Sequence, residues 1–535
     1  MNNSPSQITP DCLEVIFKYL KYDRSSLFSC LLVNRLWCRL VVHLIWRDPF
    51  FNMNSNKEPL FGIVQSYISC LPDTSKQNII DEIINTDEKD EKDEKTFQQL
   101  QQQLQRQPLF NYIKYLQVFN SENFDIAFNE WHKKYNNLYT NTHISKLLID
   151  FIFKECPNLT KLRFYVWDKW GIPLSKMNFD LLFNRENGKN VLINLKEFRF
   201  IFYAKTKSDE LENSFKIALN LFNNMEKKSN KIQFMEINFR GQLPSKKIDQ
   251  SIGNLIKAQK NLKSCKFIEY WDPKDPSIYK VLLNNNSLTH LNLSLSYFHQ
   301  SFFEGLLACK NLETLELLRC PQMPSHLLDF PLKGSLPIKN LKVIMNYPAA
   351  FNESLTVLLH MCNINLRKLF ISGVDDIIID NICSYNTRLT HLSILAQQQI
   401  FDPPQSLSVL TELTHLKLAM IQSYIFSNDT LDYFIDTLPS SLQYLCFNFN
   451  IDTNSLKIFL NDCKIPLKSL EFHQSDSQGD EVFDSLVNYK ILNQNVCEEM
   501  RLFIEYPHTF SSNTFEKAKK HINIILDVPK NHDLW

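Results

Sequence analysis

Leu288-Thr-His-Leu291-Asn-Leu293 and, 24 residues on, Leu312-Glu-Thr-Leu315-Glu-Leu317 are two copies of one phrase, L-x-x-L-x-L. In an extended strand successive side chains point to opposite faces, so the fourth and sixth residues share one face and the third and fifth the other. One such strand cannot bury its apolar side alone, whereas stacked copies make a continuous core. Working outward, further copies start upstream at Leu159, Leu195, Phe234 and Leu262, and downstream at Ile338, Leu366, Leu389, Leu413, Leu442 and Leu467. From Leu262 onward the starts lie 23 to 29 residues apart, and the first two intervals, 36 and 39, imply insertions. Weaker copies at Ile113-Lys-Tyr-Leu116-Gln-Val118 and Cys497-Glu-Glu-Met500-Arg-Leu502 are candidate capping repeats.

Units of this length leave room for a helix that returns along the outer wall. Segments such as Ile144 to Phe153 and Phe302 to Ala308 have the apolar richness such a helix needs. Each strand is entered through a lead such as Cys156-Pro-Asn-Leu159, Cys309-Lys-Asn-Leu312 or Cys463-Lys-Ile-Pro-Leu467, where a free cysteine behaves as a small buried hydrophobe. These residues resemble leucine-rich repeats of the cysteine-containing kind, over about residues 110 to 510. An ordinary α/β domain with leucine-rich strands is the alternative, and twelve phrases in near register weigh against it. The expected fold is therefore α/β. A small three-helix domain (1–50) leads through a linker (51–108) into a leucine-rich-repeat solenoid with its C-terminal cap (109–535). The solenoid is expected to be a horseshoe, with a concave parallel sheet and convex helices.

The N-terminal domain reads as three short helices. Thr9 can cap a helix that starts at Pro10, where a missing N–H costs nothing. Leu13, Ile16, Phe17 and Leu20 then fall on one stripe. A second helix carries Leu27, Leu31 and Leu32; a third, capped by Asn34, aligns Trp37, Leu40, Val41 and Leu44. So much aliphatic surface in so small a unit points to completion by a partner. The run Ile8-Thr-Pro-Asp-Cys-Leu13-Glu-Val-Ile16-Phe17-Lys-Tyr-Leu20, with Cys30-Leu-Leu-Val33-Asn-Arg-Leu-Trp37 and Leu44-Ile-Trp46-Arg, resembles an F-box. That resemblance implies docking on the Skp adaptor of a cullin ubiquitin ligase through Ile8, Pro10, Leu13, Ile16, Phe17, Leu20, Leu31, Val33 and Trp37. The family usually has Leu-Pro where this chain has Ile8 and Thr9, with the proline displaced to Pro10. Capping of the solenoid's N-terminal end by these helices is the structural alternative. Between the two parts, Thr86-Asp-Glu-Lys-Asp-Glu-Lys-Asp-Glu-Lys-Thr96 and a Gln-rich run to Gln107 form a low-complexity insertion (about 86–107), to which no activity is assigned.

Composition narrows the function. Lys plus Arg and Asp plus Glu are 58 each, so no global charge draws the chain to nucleic acid or an anionic membrane. No apolar stretch reaches the roughly 18 residues of a membrane span, and the polar N-terminus lacks a signal pattern, so a soluble cytoplasmic or nuclear protein is expected. Thirteen cysteines without a C-x-x-C favour neither disulfides nor a zinc knuckle. Only nine glycines, and no phosphate-binding loop among them, speak against nucleotide chemistry. No cofactor, metal or catalytic site is expected.

His290, His391 and His415 each stand third in a Leu-Thr-His-Leu phrase and so face the concave side. His391 and His415 fall on consecutive strands, about 4.8 Å apart. Ser393 and Lys417 are their only concave neighbours, and a lysine is a poor companion for a metal, so partner contact is the better reading. The concave positions offer Lys161, Arg163, Arg199, Lys266, Lys342, Lys368 and Lys417 against Glu197, Glu236, Glu316 and Glu471, with Phe370 and Tyr444 as aromatic anchors. Target contacts are expected at Lys266, His290, Lys342, Lys368, Phe370, His391, His415, Lys417 and Tyr444. The function these readings point to is that of a non-enzymatic substrate receptor: hook to Skp adaptor and cullin, horseshoe to an unknown target protein. A scaffold outside any ligase is the alternative. An aspartate at Phe17 is expected to weaken adaptor docking.

Overall fold

Strands form where the phrase alternates, because the fourth and sixth side chains can leave water only together with their neighbours'. In the computed structural model of the chain, Leu291, Leu293, Leu315, Leu317, Leu392 and Ile394 are accordingly buried. The structure describes residues 8–51, 58–84, 98–99, 101–134, 141–157, 159–167, 180–183, 191–203, 209–240, 245–269, 277–296, 300–320, 335–345, 352–373, 376–396, 407–420, 428–448, 451, 453–474, 479–492, 497–504 and 512–525. The low-complexity run at 86–97 lies outside them. The chain divides into two compact units, Met1–Ser287 and Leu288–Trp535.

In the first unit β1 (Val118–Asn120), β2 (Lys161–Trp167), β3 (Glu197–Tyr203), β4 (Phe234–Arg240) and β5 (Ser264–Ile268) pair parallel in chain order. The second holds β6 (His290–Ser294), β7 (Thr314–Leu318), β8 (Asn340–Ile344), β9 (Lys368–Ser372) and β10 (His391–Ala396). It continues with β11 (His415–Met420), β12 (Tyr444–Asn448), β13 (Ser469–Gln474), β14 (Glu499–Ile504) and β15 (Asn523–Ile525), again parallel and in order. Register is strict: third position pairs with third, as in His391 with His415 and His415 with Tyr444. Each unit is thus a leucine-rich-repeat array. Helices return along the face of the fourth and sixth positions. Phe222 of helix Asp209–Lys228 meets Phe200 at 5.0 Å, and Phe459 of helix Thr453–Asp462 meets Phe447 at 5.3 Å. Between β10 and β11 the described residues hold only a short 3-10 turn, Leu407–Val409.

Side-chain amides tie neighbouring repeats where the backbone turns into a strand. Asn386 Nδ2 donates to the carbonyls of Leu359 and Asn363, both at 3.0 Å, and Gln259 Nε2 to those of Ser229 and Leu255. Cys156 and Cys309 stand at the same point of their repeats as Gln259 and Asn386, three residues before the first leucine, and are buried there as free thiols. Two expectations about the array need correction. Val118 pairs with Lys161, a third position, so the first phrase starts at Leu116 and not at Ile113; Tyr112–Tyr115 is a 3-10 turn. Beyond β14, Asn523 pairs with Arg501, which adds an unforeseen repeat starting at Lys519.

The three N-terminal helices are α1 (Pro10–Tyr19), α2 (Arg24–Leu31) and α3 (Arg35–Trp46). Thr9 caps α1 by accepting from the Cys12 N–H, and Asn34 caps α3 by accepting from that of Trp37 at 2.9 Å. Leu13, Phe17, Leu27, Val41, Leu44 and Ile45 form their core. The Arg24 guanidinium donates to the carbonyls of Ile45, Asp48 and Pro49 and so fixes the exit of α3. Just beyond α3, the Arg47 carbonyl accepts from Gln117 N (2.9 Å) and Val118 N (3.1 Å). The carbonyls of Gln117, Thr160 and Lys196 do the same for the next strands, so the hook supplies one rung of the sheet's own ladder and covers the outer edge of β1. Residues 58–84, expected as linker, form helices Glu58–Ser69 and Asp73–Ile84, which bury Val64, Tyr67 and Ile79. Trp131 Nε1 donates to Gln65 at 2.8 Å, and Trp46 packs on Tyr67, so hook and array share one core. No helix among the described residues is long and apolar enough to cross a membrane.

Candidate functional site

Two surfaces collect the side chains that packing leaves over. On the hook, stripe residues divide by depth. Leu13 and Phe17 point into the three-helix core, where Phe17 meets the ring of Trp37 edge-on at 5.1 Å. Both were expected at a docking surface and are instead core residues, because α2 and α3 close over that side of α1. Leu20, Leu31 and Trp37 are half-buried against the same cluster. Ile8, Pro10, Ile16 and Val33 are exposed. Other exposed apolar side chains were not expected at the docking surface: Tyr19, Phe28, Leu32 and Leu36. Leu32 is 88% exposed, in the turn that joins α2 to α3. It was placed on the second helix, but that helix ends at Leu31 and Leu32 escapes the core.

The second surface is the strand face opposite the helices, where third and fifth residues stand. In the first unit it is an ion-pair network. Glu197 receives Lys161 at 2.9 Å, Arg163 at 2.7 Å and Arg199 at 2.8 Å, and Arg199 also reaches Glu236 at 3.2 Å. Burial alone pushes the Glu197 carboxyl up, but the three cations outweigh it and hold the group below the usual carboxylate range. Lys266 stands half-buried beside Glu236 in register.

In the second unit the third positions run His290, Thr314, Asn340, Lys368, His391, His415, Tyr444. His290 is exposed and separated from the other histidines by three strands. His391 and His415 stack at 4.0 Å with planes 8° apart, and Tyr444 continues the stack at 4.0 Å and 11°. Thr390 Oγ1 donates to the Arg367 carbonyl and Thr414 Oγ1 to that of Thr390, each at 3.0 Å. Each hydroxyl has one proton, already given away, so its contact with the next histidine's Nδ1 (2.9 and 2.8 Å) is one in which Nδ1–H donates. Nε2 is then the proton-accepting atom of both rings. Because the rings are parallel, their lone pairs run side by side and do not converge on one ion; no metal-binding cluster exists among the described residues.

Burial first, then His415 and Lys368, push His391 down to about 4; burial and Lys368 also lower His415. Both rings are neutral at physiological pH. Beside them opens a cavity of about 260 Å³, bounded also by Lys417, Cys446, Glu471 and Arg501. Cys446 donates its thiol to Glu471 at 3.2 Å, and burial followed by that carboxylate raises its pKa, which leaves it a poor nucleophile. Arg501 holds Glu499 by two bonds of 2.7 and 2.8 Å. Phe370, expected as an exposed anchor, is buried: its neighbours Lys342 and Ser393 flank it, and the Lys342 amine lies 5.1 Å from the ring centroid. Lys342 is half-buried and Lys368 exposed.

The chain matches no protein-family model and no curated protein. Among solved structures it is similar to the TLR13–ssRNA13 complex, with a TM-score of 0.38 and 14% identity over 66% of this chain. It spans 44% of the length of that protein. It is similar also to the yeast Rad7 and Elc1 complex (TM-score 0.34, 15% identity, 62% of this chain and 80% of that one). A leucine-rich-repeat protein of Leptospira interrogans gives a TM-score of 0.31 at 15% identity, over 64% of this chain and 93% of that one.

Proposed function

We propose that this chain is a substrate receptor of a cullin-type ubiquitin ligase, whose hook docks on the Skp adaptor and whose open strand face holds a target protein. The observation that carries the reading is the apolar surface left on a folded three-helix unit. Ile8, Ile16, Tyr19, Leu32, Val33 and Leu36 face solvent although the unit's own core is complete without them. Exposed apolar residues concentrated in so small a unit mark a protein interface. In this reading the chain catalyses nothing itself and works where such ligases do, in cytoplasm or nucleus. Holding target beside donor raises their effective concentration, and the transfer chemistry belongs to other subunits.

The test is capture of the full chain by purified Skp adaptor and cullin, with Leu32→Asp/Val33→Asp as the variant. Both side chains lie outside the core, so the variant should keep its fold and lose capture. Each buried aliphatic contact is worth about 1.5–3 kcal/mol, so loss of two should lower affinity by a factor of at least about one hundred. Undiminished capture by the variant refutes the assigned surface. A folded wild type that is not captured favours the scaffold outside any ligase. Thr9 and Pro10 keep that reading in view, because the family's usual Leu-Pro positions hold Ile8 and Thr9 here.

A further inference from the structure

We propose that the cavity at the seam between hook and array is a binding site for inorganic phosphate, held by Lys21, Arg24, Arg47 and Lys161 and selected by the carboxylate of Asp48. None of the apolar residues assigned to adaptor docking lines it, so its role is independent of what the hook recruits.

The hook walls the cavity with the turn after α1, the start of α2 and the exit of α3, and the array with Gln117 and Thr160 at the entries of β1 and β2. It lies where the Arg47 carbonyl accepts from Gln117 and Val118, and the Gln117 carbonyl from Thr160 and Lys161. Its volume is about 270 Å³, room for a tetrahedral anion and several waters of about 30 Å³ each. Four cations and one carboxylate line it.

Charge sets the class of ligand. Lys161 shares Glu197 with Arg163 and Arg199. Arg24 directs its donors to three carbonyls, which cancel none of its charge. Lys21 and Arg47 make no ion pair among the described residues, and the Lys21 amine lies 4.6 Å from the centroid of the Tyr22 ring. Neighbouring acids of the hook are engaged: Asp23 accepts from the Ser26 N–H at 3.0 Å and its hydroxyl at 2.6 Å, and Glu14 pairs with Lys18 at 3.0 Å. Granting Glu197 wholly to Lys161 and Asp48 wholly to Arg24 still leaves two positive charges, Lys21 and Arg47. A dianion matches them.

Asp48 sets which dianion. Burial raises its pKa against the pull of Arg24, Arg163, Lys161 and Arg47, yet its carboxylate makes no hydrogen bond or ion pair among the described residues. Sulfate and a phosphomonoester dianion bring only acceptors, which a carboxylate repels. Hydrogen phosphate keeps one P–OH, which donates to Asp48 while its other oxygens accept from the lysines and arginines. Because those donors come from both hook and array, occupancy ties the two together and raises resistance to unfolding.

The test is calorimetric titration of the full chain at pH 7.5 and constant ionic strength with inorganic phosphate, sulfate, phenyl phosphate and acetate. Phosphate should bind at millimolar concentration or below, at least about tenfold tighter than the other three. Lys21→Gln/Arg47→Gln should weaken it by at least about tenfold, whereas Lys310→Gln/Lys464→Gln, an equal loss of charge at exposed positions, should not. Asp48→Asn should bring sulfate level with phosphate. Added phosphate should raise the urea midpoint of wild type and leave that of Lys21→Gln/Arg47→Gln unmoved. Absence of phosphate binding at ten millimolar overturns the proposal. So does sulfate or phenyl phosphate bound as tightly as phosphate by wild type, a comparison that needs no variant to fold. Undiminished binding by a folded Lys21→Gln/Arg47→Gln chain overturns it equally.

Discussion

Three cations converge on the Glu197 carboxylate, and this one residue sets the charge balance of the first unit's open face. Its removal in Glu197→Ala takes from Lys161, Arg163 and Arg199 the carboxylate they share, at a cost on the order of 2 kcal/mol in urea unfolding. Its pKa is depressed in the folded state, so the stability it contributes is present above the usual carboxylate value and is lost as pH falls through the lowered one. His391 and His415 act in the same direction for a different reason. Their folded pKa values lie below the unfolded value of about 6.5, so the unfolded chain binds protons that the folded chain refuses. Stability therefore declines from about pH 6.5 toward pH 4, and urea midpoints at pH 7 and 4.5 should lie closer together in His391→Gln/His415→Gln than in wild type. At this scale the sequence showed which face a side chain takes but not its depth. Phe370 was placed on the right face, yet its burial comes from Lys342 and Ser393, neighbours far off in the chain. Phe17 was read as docking surface because a stripe does not say which helices will cover it.

The strand phrase was legible because alternation is a local property that a repeat advertises many times over. Where the local pattern thins, legibility ends. The first phrase was misplaced by three residues because Ile113 mimics a leading leucine, and β15 escaped notice because Lys519 stands where its siblings have an apolar residue. Helices Glu58–Ser69 and Asp73–Ile84 belong to no repeat and had no phrase to announce them. The threonine–histidine pairs were visible as text, but their stacking depends on register, which only the folded sheet fixes. Core packing between strand and helix is the element's main support. Phe200 touches Phe222, Phe202 and Phe239, and Phe200→Ala should cost about 3–5 kcal/mol in chemical denaturation. Asn386→Ala leaves one buried and one part-buried carbonyl without this donor and should cost about 1–3 kcal/mol in the same measurement.

At the scale of the whole chain, balanced charge and a repeat array were readable from composition and period, whereas the union of hook and array was not. Nothing local in Arg47 says that its carbonyl will become a rung for Gln117 and Val118. Deleting residues 1–51 removes that rung and exposes the outer edge of β1, whose donors then seek another chain. The truncated protein is expected to form higher oligomers in light scattering where the intact chain does not. Arg47's carbonyl also carries a consequence for genetics. A translation start downstream of the hook, which discards it, would present as loss of the protein, through precipitation and clearance, and would say nothing about what the hook recruits. Only missense alleles confined to the solvent side, at Leu32 or Val33, can separate a failure of recruitment from a failure of solubility.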